Sequence, residues 1–302
     1  MRKFIIDTDT AADDAVALLM ALSSNINILG ITTVCGNVPL SKACLNALQV
    51  VELSGKNVPV YKGAEKPLLR KLYTAEYVHG LDGMGDKRLV NPTIKANDKN
   101  AIDFILNTVS ENPDEIEIIA LGPVTNIAKA ILKAPDTMKK VKHIYTMGTA
   151  GLSDGNVTKW AEFNVYVDAE SYDIMLKSGI PITVIGLDMC MGDALFSVSD
   201  LEKIEAVGKK GKFVRLCTSK ILEHNTNTLN IKAASIPDAV AMSCVLWEDT
   251  VLEKDSFLAV SETKSEEKYG RVTFRKAENE NCTLITSFNS KLFKEHLLNV
   301  LK

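Results

Sequence analysis

The sequence predicts an α/β protein: a doubly wound, mostly parallel sheet with helices on both faces and a small antiparallel C-terminal extension. Three observations carry that expectation. Over the first two-thirds of the chain, short apolar runs of strand type alternate with segments apolar at helical spacing. Several of the strand-type runs are apolar at nearly every position, as in strands covered on both faces. Near Asp193 the rhythm changes to helix-rich sequence, followed by three more strand-type runs.

The elements follow in order. Strands are expected at 3–6, 28–34, 58–61, 116–120, 143–147 and 182–187. Helices between them are expected at 14–22, 41–53, 100–107, 126–132 and 169–177. Residues 200–233 read as helical with a polar stretch HNTNTLN at 224–230, and 238–247 as an apolar helix. Strands at 257–260, 271–275 and 282–286 form the extension, with the charged segment 261–270 as a hairpin loop and 291–301 as a closing amphipathic helix. No repeat or linker interrupts this pattern, so residues 1–302 are expected to form one domain.

Composition narrows the function. The chain has 302 residues, 46% hydrophobic and 24% charged, with a formal net charge of −3, so an electrostatic grip on nucleic acid or an acidic membrane is not expected. No apolar run approaches the roughly 18–20 residues that span a bilayer. Asp7 interrupts the N-terminal apolar run too early for a signal peptide, and the expected location is the cytoplasm. Cys35, Cys44, Cys190, Cys217, Cys244 and Cys282 are scattered without a CxxC pair and read as reduced, buried thiols.

Ligands of open parallel sheets bind beyond the carboxyl ends of the strands. Asp7, Asp9, Gly36, Asn37, Leu121, Gly122, Gly148 and Asp188 all fall at such ends, which makes one acidic, amide-rich rim. Asp7, Asp9, Asp13 and Asp14 lie within eight residues, with no Lys or Arg among them. One aspartate there would be an ordinary helix-start residue. Four strain that explanation, because carboxylates 4 Å apart repel by about 4 kcal/mol at an effective dielectric of about 20. They must take up protons or share a cation, and hard oxygen ligands suit Ca²⁺ or Mg²⁺. An EF-hand is excluded, since from Asp7 its sixth position is Ala12 and its twelfth Leu18. Asp238, in SIPDAVA, is the best further acidic candidate by type.

Six stretches in order, IIDTDTAADDAVALL (5–19), ITTVCGN (31–37), HGLDGMG (79–85), LGPVTNIA (121–128), AEFNVYVDAE (161–170) and PDAVA (237–241), resemble the inosine–uridine-preferring nucleoside hydrolase family over nearly the whole chain. The resemblance implies hydrolysis of the N-glycosidic bond of ribonucleosides to free base and ribose by an N-ribosyl hydrolase of nucleoside catabolism and salvage. It implies one Ca²⁺, held by Asp9, Asp14 and Asp238 and by the Leu121 carbonyl, with Asp7 orienting the cluster. It also implies a calcium-bound water activated by Asp9 as base. Asp13, Asn37 and Asn164 would take the 2′ and 3′ hydroxyls, and Glu162 and Asn156 the 5′ hydroxyl. Such a site, rich in carboxylate and amide oxygens, suits the positive ribosyl ring of an oxocarbenium-like transition state. A homodimer or homotetramer is implied as well.

The sequence departs from the family at one telling place. Many members carry a histidine immediately before the last calcium aspartate, as proton donor to the base; here that residue is Pro237. His79 and His224 are the candidate replacements, and Trp160 is a candidate for stacking on a purine. The loop GTAGLSDGN before Asn156 is about one residue longer than usual. Gly83 and Gly85 suggest a flexible loop over the site. Two rival readings remain at this stage. One is a calcium-dependent nucleoside- or ribose-binding protein without turnover. The other is a haloacid-dehalogenase-type phosphatase, in which DTDT supplies Asp7 as nucleophile and Asp9 as acid/base with Mg²⁺.

Overall fold

The computed structural model describes residues 1–87, 89 and 91–302. Its strands are β1 (Lys3–Thr8), β2 (Asn27–Thr33), β3 (Val60–Lys62), β4 (Ile116–Ala120), β5 (His143–Met147), β6 (Ile182–Ile185), β7 (Phe196–Ser197), β8 (Ala233–Ala234), β9 (Val251–Ser261), β10 (Val272–Arg275) and β11 (Cys282–Phe288). Nine of them form one sheet in the order β10-β9-β11-β6-β5-β4-β1-β2-β3, and β7 pairs with β8 apart from it. From β3 through β6 the neighbours are parallel. In the extension, β9 runs antiparallel to both β10 and β11, while β11 joins β6 in parallel.

The chain winds outward from β1 to β3, then returns to place β4 on the other side of β1. The winding direction therefore reverses at β1, and the crevice beyond its carboxyl end is where such sheets bind ligands. Helices α1 (Ala12–Ser23) and α2 (Leu40–Ser54), with the helix Pro237–Leu246, build a core on one face that includes Phe4 and Ile6. The helices Ala101–Glu111, Thr125–Lys133 and Ala169–Leu176 build the core on the other face, which includes Ile5. Alternate residues of a strand point to opposite faces, so the two cores share β1 between them.

Apolar continuity and period made these elements readable in the sequence, and β4 and β5 have the expected bounds. The short ones were not readable. β7 and β8 have two residues each, and the helix Glu76–His79 has four. The helical stretch expected over 200–233 is three helices, Val198–Glu205, Lys209–Cys217 and Ser219–Thr228. The segment 261–270 is the expected hairpin loop, because β9 and β10 pair across it. Among the described residues, no helix is long and apolar enough to cross a membrane.

Helix α1 is buried over eleven of its twelve positions, which ties the fold of the acidic loop to core packing. Leu19 is fully buried there. Leu19→Ala is expected to cost about 2–5 kcal/mol in urea unfolding; a loss below about 0.5 kcal/mol, the range of surface substitutions, would mean that α1 is not part of the core.

Candidate active site

β1 distributes its polar residues by strand alternation. Asp7 follows Ile5 onto the face of the helix Thr125–Lys133, where its Oδ1 accepts hydrogen bonds from Asn126 Nδ2 (2.8 Å) and Thr32 Oγ1 (2.5 Å). Thr8 follows Ile6 onto the face of α1, and its hydroxyl donates to Asp14 Oδ1 (2.6 Å). Asp14 Oδ2 accepts from the Ala11 backbone N–H (2.9 Å) at the helix start and from Asn37 Nδ2 (3.3 Å). Helix N-termini favour such carboxylates, which places Asp13 and Asp14 in the first turn of α1.

Asp9 leaves the strand between two glycines. A Cβ at Gly36 would lie 2.0 Å from Asp9 Oδ2, and one at Gly122 would lie 2.4 Å from Oδ1. Both positions therefore need glycine for close approach. Asp9 Oδ2 accepts the Asn37 backbone N–H (2.5 Å), and its buried Oδ1 has no partner. Asp238 enters from the start of the helix Pro237–Leu246, where proline suits the first turn. One oxygen each of Asp13, Asp14 and Asp238 lie within 4.8 Å of one another. This triangle includes Asp13, which the resemblance gave to hydroxyl binding, and leaves out Asp9.

These carboxylates are buried with no Lys or Arg paired to them among the described residues. Burial pushes the Asp7, Asp13 and Asp14 carboxyls up to about 6. Asp9 and Asp238 are pushed well above the ordinary carboxylate range, first by burial and then by the charge of Asp14. Buried oxygens of Asp7, Asp9 and Asp13 have no hydrogen-bond partner. Unpaired, crowded carboxylate oxygens are the donor set that a hard divalent cation satisfies.

A cavity of about 540 Å³ opens beside this cluster. Asp13, Asn37, Leu121, Asn164 and Asp238 line it. The Leu121 carbonyl accepts Asn164 Nδ2 (2.8 Å), which keeps one of its lone pairs free. Glu162 also lines the cavity and caps the helix Phe163–Val167. Its Oε1 accepts the Asn164 N–H (2.8 Å), and its Oε2 accepts the N–H groups of Thr149 (3.0 Å) and Val165 (3.3 Å). Thr149 has φ +74°, a strained left-handed conformation that the Glu162 contact helps to hold. Burial pushes Glu162 up to about 7 against those three donors. Asn156 lines the outer wall, and its Oδ1 accepts the Phe163 N–H (3.0 Å).

Both candidate histidines face the cavity. His79 is buried at the end of its one-turn helix, with Nδ1 3.6 Å from Asp13 Oδ1, and burial pushes it down to about 4. His224 stands on the helix Ser219–Thr228 and meets Tyr77 edge-on. Trp160 does not line the cavity. Its indole lies among Arg271 (4.5 Å), Lys268 (5.5 Å) and Lys159 (5.6 Å), so cation–π contacts hold it outside the cavity. The glycines of HGLDGMG form a bonded turn rather than a cover. Gly83 and Gly85 take φ +75° and +77°, the Gly85 N–H donates to the His79 carbonyl (2.9 Å), and neither lines the cavity. Asp7, the nucleophile of the phosphatase reading, is likewise fully buried away from the cavity. Sequence reasoning missed Tyr77, Ile221 and Asn225 as lining residues. The polar HNTNT run was the signal for Asn225, whose amide donates to the Ala233 carbonyl (2.9 Å).

The model for inosine-uridine preferring nucleoside hydrolase matches residues 4–295. The chain is 42% identical to uridine nucleosidase 1 of Arabidopsis thaliana over 217 residues, which cover 71% of this chain and 64% of that protein. It is 31% identical to the pyrimidine-specific ribonucleoside hydrolase RihB of Escherichia coli over 276 residues, 89% of this chain and 86% of that one. The matches to the first curated relatives span 61 to 66% of those relatives' length. A solved plant nucleoside hydrolase superposes with a TM-score of 0.93 at 28% identity, covering 99% of this chain and 98% of that one.

The carboxylate shifts set a pH dependence. A carboxyl whose folded pKa lies above its unfolded value takes up protons on folding, so its stabilising contribution is full below the unfolded value and is lost as pH rises through the folded one. For Asp7, Asp13 and Asp14 that window runs from the ordinary 3.8 to about 6. Chelator-treated protein is expected to lose thermal stability across this window. Added Ca²⁺ should raise Tm above the window and have little effect below it, where protons already occupy the site. A Tm insensitive to both pH and cation would remove the charge-crowding account.

Proposed function

The chain belongs to the inosine-uridine preferring nucleoside hydrolase family, and from that membership we propose that it hydrolyses the N-glycosidic bond of ribonucleosides to free base and ribose. The observation that carries the reading is one cavity that joins a floor of Asp13, Asp238, Asn37 and Asn164, with the orphaned Asp9 oxygen buried behind that lining, to an apolar wall containing Ile221, Leu229 and Ile231. The floor suits a cation and a diol, and the wall suits a flat base.

The orphaned oxygens of Asp9 and Asp13 support a divalent ion, and the all-oxygen donor set favours Ca²⁺. Asp9, Asp14, Asp238 and the Leu121 carbonyl would hold it, and when bound it supplies positive charge that orients sugar hydroxyls and water. The protein's own groups do the rest. Asp9 takes the proton of the attacking water. Asp13, Asn37 and Asn164 hold the 2′ and 3′ hydroxyls, and Glu162 and Asn156 the 5′ hydroxyl. Buried carboxylates favour the positive charge that grows on the ribosyl ring as C1′–N breaks. His79 and His224 are the two groups able to give the base its proton. The six unpaired, buried cysteines fit a cytoplasmic setting, and the family resemblance points to a homodimer or homotetramer.

Binding without turnover is the second reading, favoured by Pro237, which has no proton to give at the helix start beside Asp238. A panel of ribonucleosides headed by uridine, assayed for released ribose, separates the two. Release is expected, with 2′-deoxyuridine a much poorer substrate because the groups that read the 2′ hydroxyl would be left unpaired. Exhaustive chelation should stop release and Ca²⁺ should restore it. Asp9→Asn should lower kcat by about 10²–10⁴-fold. Binding across the panel with no ribose release would leave the second reading standing.

A further inference from the structure

We propose that His224 protonates the departing base and that Tyr77 is the residue that positions it, an assignment that rests on the nucleosidase reading of the cavity. The two histidines occupy different parts of the wall. His79 is 6% exposed and sits against Asp13, at the carboxylate end where the sugar would lie. His224 is half-buried on the helix Ser219–Thr228, which also brings Ile221 to the cavity, and Leu229 and Ile231 follow that helix. That apolar section is where a base would rest. A general acid must also regain its proton from solvent after each turnover. Both line the cavity, but His224 is the more exposed of the two, whereas His79 is buried.

Tyr77 enters the argument through what His224 lacks. Among the described residues neither ring nitrogen of His224 has a hydrogen-bond partner, and the contact recorded for its ring is aromatic. Tyr77 supplies that contact. Its ring lies 5.5 Å from the imidazole, centroid to centroid, at 64°, an edge-on geometry that aromatic pairs favour. Tyr77 lines the same cavity and stands two residues before His79, so it links the element carrying one histidine to the helix carrying the other.

The step balances as follows. C1′–N breaks and its electron pair goes to the base nitrogen, while His224 gives a ring-nitrogen proton to the base. The water oxygen bonds to C1′ and its proton passes to Asp9. Asp9 then releases that proton and His224 takes one from solvent, so one nucleoside and one water become one base and one ribose.

The test compares uridine with p-nitrophenyl β-D-riboside, whose phenolate leaves without needing a proton. His224→Gln is expected to lower kcat on uridine by about 10²–10⁴-fold and to leave p-nitrophenyl riboside nearly unchanged. Tyr77→Ala should give the same selective loss at about 10-fold or more, with KM changed little, and Tyr77→Phe, which keeps the ring, should restore the rate. Equal losses on both substrates in Tyr77→Ala would make its role structural and overturn the proposal. So would the selective loss appearing in His79→Gln and not in His224→Gln. If the wild-type protein cleaves neither substrate, the nucleosidase reading itself falls and takes this assignment with it.

Discussion

Repulsion among buried carboxylates is the constraint on which the rest of this structure depends. Asp9, Asp13, Asp14 and Asp238 converge from one strand end, one helix start and a second helix start, and among the described residues no lysine or arginine pairs with them. Two carboxylates 4 Å apart cost about 4 kcal/mol even at an effective dielectric of about 20, and the cost grows as water is excluded. A fold does not bring such groups together for stability. The fold is held elsewhere, by two apolar cores on either side of the sheet, and that surplus keeps the acidic corner assembled until a cation or protons neutralise it.

The corner is built from backbone as much as from side chains. The reversal of winding at β1 puts the ends of β1, β2 and β4 side by side, so Asp9, Asn37 and Leu121 become neighbours although far apart in sequence. Gly36 and Gly122 lack the Cβ that would collide with Asp9. Glu162, Thr125 and Asp168 then tie the loops together: Asp168 Oδ2 accepts the Thr125 hydroxyl (2.6 Å) and the Leu68 N–H (3.0 Å). A substitution at Gly36, Gly122 or Thr125 would act on the site by moving a carboxylate rather than by removing one.

Much of this was legible in the sequence because it rests on periodicity and on polar residues at strand ends. β4, β5 and the apolar helices could be read from apolar spacing, and the rim could be read from where the apolar runs stop. What was hidden depends on pairs distant in sequence. Trp160 has the composition of a base-stacking residue, yet Lys268 and Arg271, over a hundred positions later, fold onto its ring and claim it. Tyr77 had no local signal, since its meaning comes from His224 across the cavity. Gly83 and Gly85 read as looseness, but their left-handed φ angles serve a tight turn bonded to the His79 carbonyl. Period reveals which face is apolar; it does not reveal which two surfaces will meet.

The cavity therefore joins two walls governed by different physics. The acidic floor is fixed by short strands, glycine contacts and hydrogen bonds to backbone N–H groups, and it tolerates little displacement. The opposite wall comes from the helix Ser219–Thr228 and the residues after it, where Leu229 is 51% exposed, and from Tyr77 of the helix Glu76–His79, which is 55% exposed. Its contacts are dispersion and ring edges, which are individually weak and adjust readily. For the nucleosidase activity proposed above, recognition of the ribose, which must be exact in position for a bond at C1′ to break, would fall to the rigid wall, and accommodation of the base, whose size varies among nucleosides, to the yielding one. Proline at position 237 is consistent with that division. It stiffens the helix start that presents Asp238 on the rigid wall, and His224, the group proposed to protonate the base, stands instead on the yielding one.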